Sequence, residues 1–246
     1  MKVIILAAGR GNRMSKITEE IPKCMIKLFG ITLLDHCIKN LELAGFAREN
    51  IGIVTGYKKE KIKAEGVKRF YNNDWESTNM FVSLTAAREW LLNETVIVSY
   101  SDIIYHSSVV KELIETDSNI AITYYTEFWE LWSKRFSNPF DDLETFKIID
   151  EKLIEIGKKT NSRNDIQGQF MGLLRFTPKG WQNVENAINK PMPKPLKCLD
   201  MTTLLQHMLT LGYEIEAIPT DELWLECDSI SDIELYEREW NIFEIK

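Results

Sequence analysis

The sequence predicts an α/β fold of three layers, a mostly parallel sheet between two layers of helices. Short apolar runs alternate with amphipathic segments through the first hundred residues, the β-α-β-α order that builds such a sheet. A chain of 246 residues with 44% hydrophobic composition can also bury one substantial core. One domain over residues 1–246 is therefore expected, with an antiparallel excursion or insertion around residues 125–165.

Val3–Leu6 is a continuous apolar run entering a glycine-containing loop, and reads as a buried strand. Leu33, Leu34, Cys37, Ile38, Leu41 and Ala44 recur at helical spacing, with Gly45 as the stop. Ile51–Val54 reads as a second strand, Lys58–Ala64 as a short helix and Val67–Tyr71 as a third strand. Met80, Leu84, Ala87 and Leu91 mark one further helix, and Val96–Tyr100 a strand ending at Ser101-Asp102. Beyond that the rhythm changes. Phe146–Ile149 and Leu153–Ile156 flank Asp150-Glu151-Lys152 as a β-hairpin, and Phe170–Phe176 returns as a buried strand. Thr177-Pro178 is an N-cap and first-turn pair for a helix burying Trp181, Val184 and Ile188. A proline-rich loop, a helix through Leu204, Leu205 and Met208, and a last strand to Glu226-Cys227-Asp228 complete the chain, with Ser229 capping the final helix.

Composition narrows the partners. A formal charge of −7 argues against general nucleic-acid binding, which a basic surface drives. No run of 18 apolar residues argues for a membrane span, and the first apolar stretch is too short for a signal peptide, so a cytoplasmic protein is expected. Cys24, Cys37, Cys198 and Cys227 are widely spaced and read as buried, reduced thiols. Residues 1–30 depart from the acidic balance, with Lys2, Arg10, Arg13, Lys16, Lys23 and Lys27 against Glu19 and Glu20. Lys2, Lys16 and Lys27 read as solvated surface charges. The others surround a glycine turn, which suggests a small polyanionic ligand.

That turn is Leu6-Ala7-Ala8-Gly9-Arg10-Gly11-Asn12-Arg13-Met14, followed by Pro22-Lys23. Glycines after a buried strand let backbone N–H groups approach phosphate oxygens closely. A dinucleotide fingerprint needs a third glycine where Met14 stands, and a P-loop needs Gly-Lys-Ser/Thr, which is absent. Arg13 can fork onto phosphate oxygens, and Lys23 can place a point charge where negative charge grows.

Leu6-Ala-Ala-Gly-x-Gly-x-Arg-Met14 with Pro22-Lys23 resembles the signature of the sugar-phosphate nucleotidyltransferase superfamily. The chain looks most like its bacterial cytidylyltransferases, which activate phosphocholine and related phosphate or phosphonate acceptors. Ser77–Ser83, Ser101-Asp102, Gly168–Gly172 and Trp224–Asp228 also fall where that family has site segments. The resemblance implies a Rossmann-like sheet of the GT-A-like type, CTP as donor, and backbone nucleotide contacts at Leu6, Ala7, Ala8, Gly9 and Gly11. It implies Mg²⁺ held by Asp102 and Asp228, with Glu226 as a helper. Carboxylates at strand ends suit a hard cation that keeps several waters. Asn79 and Ser83, one turn apart at a helix start, can read a base or ribose, or can simply polarise that helix end. A homodimer stays open.

An acceptor phosphate is largely dianionic at neutral pH and can attack the α-phosphorus without a general base. His36, His106 and His207 are accordingly read as structural or solvent-facing. For the acceptor, Trp129, Trp224, Gln169 and Arg135 are the candidates, with Tyr125, Phe128 and Trp132 close by; Arg135, Lys158 and Arg163, in the hairpin region, can meet its phosphate or carboxylate or be solvated charges, the commoner case. Aromatic faces would suit choline, but helically spaced aromatics more often pack a core. Gln169 stands where relatives that bind cationic acceptors tend to have Glu. This weakens choline and leaves room for 2-aminoethylphosphonate or an amino-acid phosphate such as L-glutamine phosphate. Two other readings stay in view. One is a sugar 1-phosphate nucleotidyltransferase using UTP or dTTP; the other is a nucleotide-sensing module without turnover.

Overall fold

A computed structural model of the chain describes residues 1–14 and 17–241; Lys16, read above as a surface charge, lies outside them. Strand β1 (Lys2–Ala7) leads through the glycine turn to the single-turn helix α1 (Ile17–Glu20). A short antiparallel ladder of β2 (Lys27–Leu28) and β3 (Ile31–Thr32) follows. Thr32 caps α2 (Leu33–Leu43), its hydroxyl accepting from Asp35 N at 3.0 Å. Between β4 (Ile51–Thr55) and β5 (Lys68–Tyr71) only one turn of 3-10 helix forms, Lys59–Lys61, where a short α-helix was expected. Lys58 enters that turn in the left-handed region, at φ 43°, which a right-handed helix cannot continue.

The periodicity of Met80, Leu84, Ala87 and Leu91 spans two helices rather than one, α3 (Met80–Thr85) and α4 (Arg88–Asn93). Ala87 leaves helical geometry between them, at φ −103° and ψ 23°. Strands β6 (Val96–Tyr100) and β7 (Ile103–Tyr105) precede α5 (Ser107–Glu115) and β8 (Ile120–Tyr125), two elements the sequence pattern did not announce. Next come α6 (Phe128–Arg135) and the expected hairpin of β9 (Glu144–Ile149) and β10 (Lys152–Lys159). Asp150 and Glu151 both take positive φ in its turn, as a tight hairpin of this twist needs. The chain closes with β11 (Gln169–Phe176), α7 (Pro178–Ile188), α8 (Met201–Thr210), β12 (Glu216–Thr220), β13 (Trp224–Glu226) and α9 (Ile230–Glu239).

Nine strands form one sheet in the order β5-β4-β1-β6-β11-β8-β12-β10-β9. The first four are parallel, β11 runs against both neighbours, and β12 is parallel to β8. The hairpin extends this sheet antiparallel to β12 instead of leaving it. Alternate side chains of β1 point to opposite faces. Val3, Ile5 and Ala7 join Leu34, Ile38, Leu41 and Val110, while Ile4 and Leu6 join Leu84, Leu91, Trp181 and Leu205. The result is the expected α/β arrangement, a large mostly parallel sheet with helices on both faces.

No described helix is long and apolar enough to cross a membrane. Cys24, Cys37 and Cys227 are buried as expected; Cys198 is exposed, because it ends a 3-10 turn in the proline-rich loop. Because β1 and β6 are parallel neighbours, the glycine turn and Ser101-Asp102 emerge at the same end of the sheet. Open α/β sheets bind ligands there.

Candidate active site

The turn after β1 is held by its buried end. Met14 is fully buried and its N–H donates to Gly11 O at 3.0 Å. Gly11 itself sits at φ 75°, and a Cβ there would stand 2.8 Å from Lys23 Cβ. The glycine thus serves both the turn and the passage of the lysine. Lys23 threads past it, 13% exposed at its side chain, and its ammonium donates to Asp102 Oδ2 at 2.5 Å and Asp228 Oδ1 at 2.7 Å.

These acids are far apart in the chain and meet for a local reason. Strands β7 and β13 pair antiparallel, Ile103 opposite Glu226, and Cys227 N donates to Asp102 O at 2.8 Å. The residue after Cys227 is then carried beside Asp102. Asp232 completes the support, its carboxylate accepting from Asp228 N at 3.0 Å and from Ser229 N at 2.8 Å in a capping box with Ser229. Burial alone would lower the Lys23 pKa; the charges of Asp102 and Asp228 outweigh it and hold the ammonium protonated. For Asp228, burial raises the pKa, but Lys23, Arg13 and Arg135 together bring it below the ordinary carboxylate value.

Two cavities open on this cluster. One is lined by Leu6, Ala7, Ala8, Gly9, Gly11, Lys23, Trp75, Thr78, Asn79, Ser83, Tyr100 and Asp102, so every residue read as nucleotide-binding borders it. The side-chain oxygen of Asn79 caps α3 through Met80 N at 2.8 Å, and the residue also lines the cavity. Ser83 Oγ accepts from Asn72 Nδ2 at 3.0 Å. The second cavity, about 200 Å³, lies beyond Asp228 and is bordered by Arg13, Tyr100, Trp132, Asp142, Glu144, Gln169, Phe170, Gly172, Trp224, Glu226 and Asp228. Tyr100 borders both. Gly172, at φ 76°, is what lets β11 shift register between Phe170 and Leu174 and pass the Tyr100 ring, 2.7 Å from where a Cβ would be.

Arg13 is exposed at the rim, its guanidinium 2.9 Å from Asp228 and 3.8 Å from Asp142. Three other expectations need correction. Arg135, read as an acceptor contact, has a side chain with no exposure, fixed to Glu226 at 3.2 Å and Asp232 at 3.0 Å. It balances buried acids and does not border the cavity, because α6 packs against α9. Trp129 points away from the cleft, against Phe140 and under Arg163, since only Trp132 of that helix faces Trp224. Glu226, read as a metal helper, answers to Arg135, and burial followed by Asp228 pushes its pKa up to about 8. Lys158 pairs with Glu155 on the surface. The histidines lie outside both cavities: His36 meets Leu28 O, His106 caps α5 and His207 meets Ala187 O.

Asp142, Tyr100 and Glu144 were not singled out from the sequence, although Tyr100 directly precedes the Ser101-Asp102 pair. Asp232 was equally missed, and has an expected effect. Asp232→Ala removes a partner of buried Arg135 together with the cap on Asp228 N, so unfolding free energy falls by about 3 kcal/mol. A loss below about 1 kcal/mol in urea unfolding would mean Glu226 and Asp228 satisfy Arg135 by themselves.

The donor set suits a hard divalent cation: two carboxylates converge on Lys23, with Arg13 and Arg135 also beside Asp228, and Mg²⁺ is commonly held by one or two carboxylates plus water and phosphate oxygens. Among the described residues no three acidic, thiol or imidazole groups converge to hold a metal by themselves. Asp102 and Asp228 are therefore the pair that fits.

Residues 3–148 match the family model of the MobA-like NTP transferase domain. The chain belongs to that family. It is a nucleotidyltransferase. The transferase is 32% identical over 251 residues to the CTP:phosphoglutamine cytidylyltransferase of Campylobacter jejuni, across 96% of this chain and 98% of that one. It is 36% identical over 101 residues to the choline-phosphate cytidylyltransferase of Streptococcus pneumoniae, covering 39% of this chain and 43% of the relative. Its fold is that of the solved CTP:phosphocholine cytidylyltransferase of Streptococcus pneumoniae, with a TM-score of 0.72 at 19% identity over 96% of this chain and 97% of that one.

For this transferase Gly11→Ala is expected to displace Lys23, since strain at φ 75° and the 2.8 Å contact act together. Misplacing a catalytic group by about 1 Å costs on the order of 10²-fold. Steady-state turnover should fall by about that factor; wild-type turnover would show that Lys23 reaches its place by another route.

Proposed function

We propose that the transferase moves CMP from CTP onto a small phosphate or phosphonate acceptor in a Mg²⁺-dependent reaction that releases pyrophosphate. One observation carries the reading: a cleft lined by the glycine turn and a second cavity meet at the Lys23–Asp102–Asp228 cluster, with Tyr100 on the border of both. An acceptor oxygen entering from the second cavity forms the new bond to the α-phosphorus as the bond to the pyrophosphate oxygen breaks. No protein nucleophile or general base is needed, because the acceptor oxygen already carries negative charge at neutral pH. Catalysis then reduces to alignment and charge neutralisation.

Lys23 and Arg13 are the cations placed to offset charge at the α-phosphoryl group. Asp102 and Asp228 would hold Mg²⁺, whose charge would offset that of the triphosphate. The backbone of Ala7 to Gly11 would follow the phosphates, and Asn79 and Ser83 lie where a ribose or base would extend. Cytidine as the base is supported by the relative that matches nearly the whole chain, whose name specifies CTP and a phosphorylated amino acid.

Pyrophosphate release tests this, with ATP, GTP, CTP, UTP and dTTP each offered beside phosphocholine, 2-aminoethylphosphonate, L-glutamine phosphate and hexose 1-phosphates. CTP with one of the first three acceptors should dominate, and only in the presence of Mg²⁺. Preference for UTP or dTTP with a hexose 1-phosphate would replace the assignment by that of a sugar 1-phosphate nucleotidyltransferase.

A further inference from the structure

The second cavity is strongly one-signed. Asp142, Glu144, Glu226 and Asp228 border it, and Arg13 is the one base among its described lining residues. Arg13 stands at the end next to the transfer site, 2.9 Å from Asp228, where an acceptor phosphate belongs. The far end presents the oxygens of Glu144 and Gln169, and the hydroxyl of Thr202, which also borders the cavity, donates to Asp200 Oδ1 at 3.3 Å. Gln169 is anchored through its amide nitrogen, which donates to Glu144 O at 3.0 Å and Gly168 O at 3.1 Å, leaving its oxygen Oε1 as the end available to a ligand. The Glu144 carboxylate has no ion pair or hydrogen bond among the described residues. Burial pushes its pKa up, Asp200 and Asp142 add to the rise, and Lys159 and Lys194 oppose it without cancelling it, so a cation arriving beside it would favour the carboxylate.

Of the rings bordering the cavity, Tyr100 and Phe170 meet edge to face, with centroids 5.9 Å apart, and the two indoles do not offer the walls of a cage. Trp132 and Trp224 stack on each other with centroids 5.7 Å apart and planes at 11°. The Arg135 guanidinium already lies 4.9 Å from the Trp132 ring centroid, and Tyr125 leans on Trp224 at 6.0 Å. Both indoles are almost wholly buried. Recognition of a quaternary ammonium needs open aromatic faces; a primary ammonium needs acceptor oxygens for its N–H groups.

We propose that this cavity takes a small phosphate or phosphonate bearing a primary ammonium group, whose N–H donors are received by the Glu144 carboxylate and Gln169 Oε1. This rests on the acceptor reading given above and names the acceptor's chemical class. Glu144 and Gln169 are the specificity residues, opposite Arg13 at the phosphate end.

Matched acceptor pairs test it on the intact protein with CTP and Mg²⁺. Phosphoethanolamine and phosphocholine differ only in the methyl groups on nitrogen, and 2-aminoethylphosphonate and ethylphosphonate only in the amino group. In each pair kcat/KM should favour the primary amine at least tenfold, and in Glu144→Gln both ratios should collapse toward one. Equal or reversed ranking in the wild-type protein overturns the proposal while leaving CMP transfer intact, as does an undiminished ratio in a folded Glu144→Gln variant. Absence of CMP transfer to every phosphorylated acceptor overturns the transfer reading itself, and this proposal with it.

Discussion

Lys23→Ala should lower kcat for nucleotidyl transfer by about 10²–10³-fold, the loss seen when one pre-aimed group that neutralises transition-state charge is removed. The ammonium reaches the cleft by passing Gly11, and among the described residues lining the nucleotide cleft Lys23 is the one base. The same change should also destabilise the metal-free protein, because Asp102 and Asp228 lose the charge they share. Thermal unfolding midpoints measured with and without Mg²⁺ would reveal this as a drop that the cation partly restores. Undiminished turnover with CTP would remove Lys23 from the reaction.

Asp102→Asn is expected to be at least as severe. The exchange keeps size and hydrogen-bonding capacity but removes one of the two charges proposed to hold Mg²⁺, so transition-state stabilisation falls by several kcal/mol, or about 10³-fold in kcat/KM. The Mg²⁺ concentration giving half-maximal rate should rise as well. A variant that keeps the wild-type Mg²⁺ titration would rule out Asp102 as a metal ligand. Asp228 faces the same test, but its result is harder to read, since its main chain also belongs to the helix cap formed by Ser229 and Asp232.

The parts of the site that were legible in the sequence are those whose chemistry is local. A buried strand, glycines at a turn and a following arginine and lysine announce themselves within 20 or so residues, and Leu6 through Lys23 lie together as that pattern requires. Asp102 was readable because it ends an apolar run. Asp228 needed the resemblance, since the ladder between β7 and β13 that brings it to Lys23 comprises two three-residue strands with no pattern of their own. Arg135 was misread for a related reason. Its burial comes from α6 packing on α9, a long-range contact, and an arginine late in an amphipathic helix otherwise looks like a surface charge. Trp129 and Trp132 occupy the same helix three residues apart, and only the tertiary arrangement decides which one meets Trp224. Among the elements, the break at Ala87 carries neither glycine nor proline to mark it, so the apolar period runs straight through it.

The two cavities divide the molecule along its length. All residues bordering the nucleotide cleft precede Ile103, whereas the second cavity, Arg13 and Tyr100 apart, draws on residues from Trp132 onward. A single crossover after β7 would thus separate the two sets of lining residues, and the chimera would have to keep the β6–β11 and β7–β13 ladders and the contacts of Lys23 and Arg13 to Asp228 that span the splice.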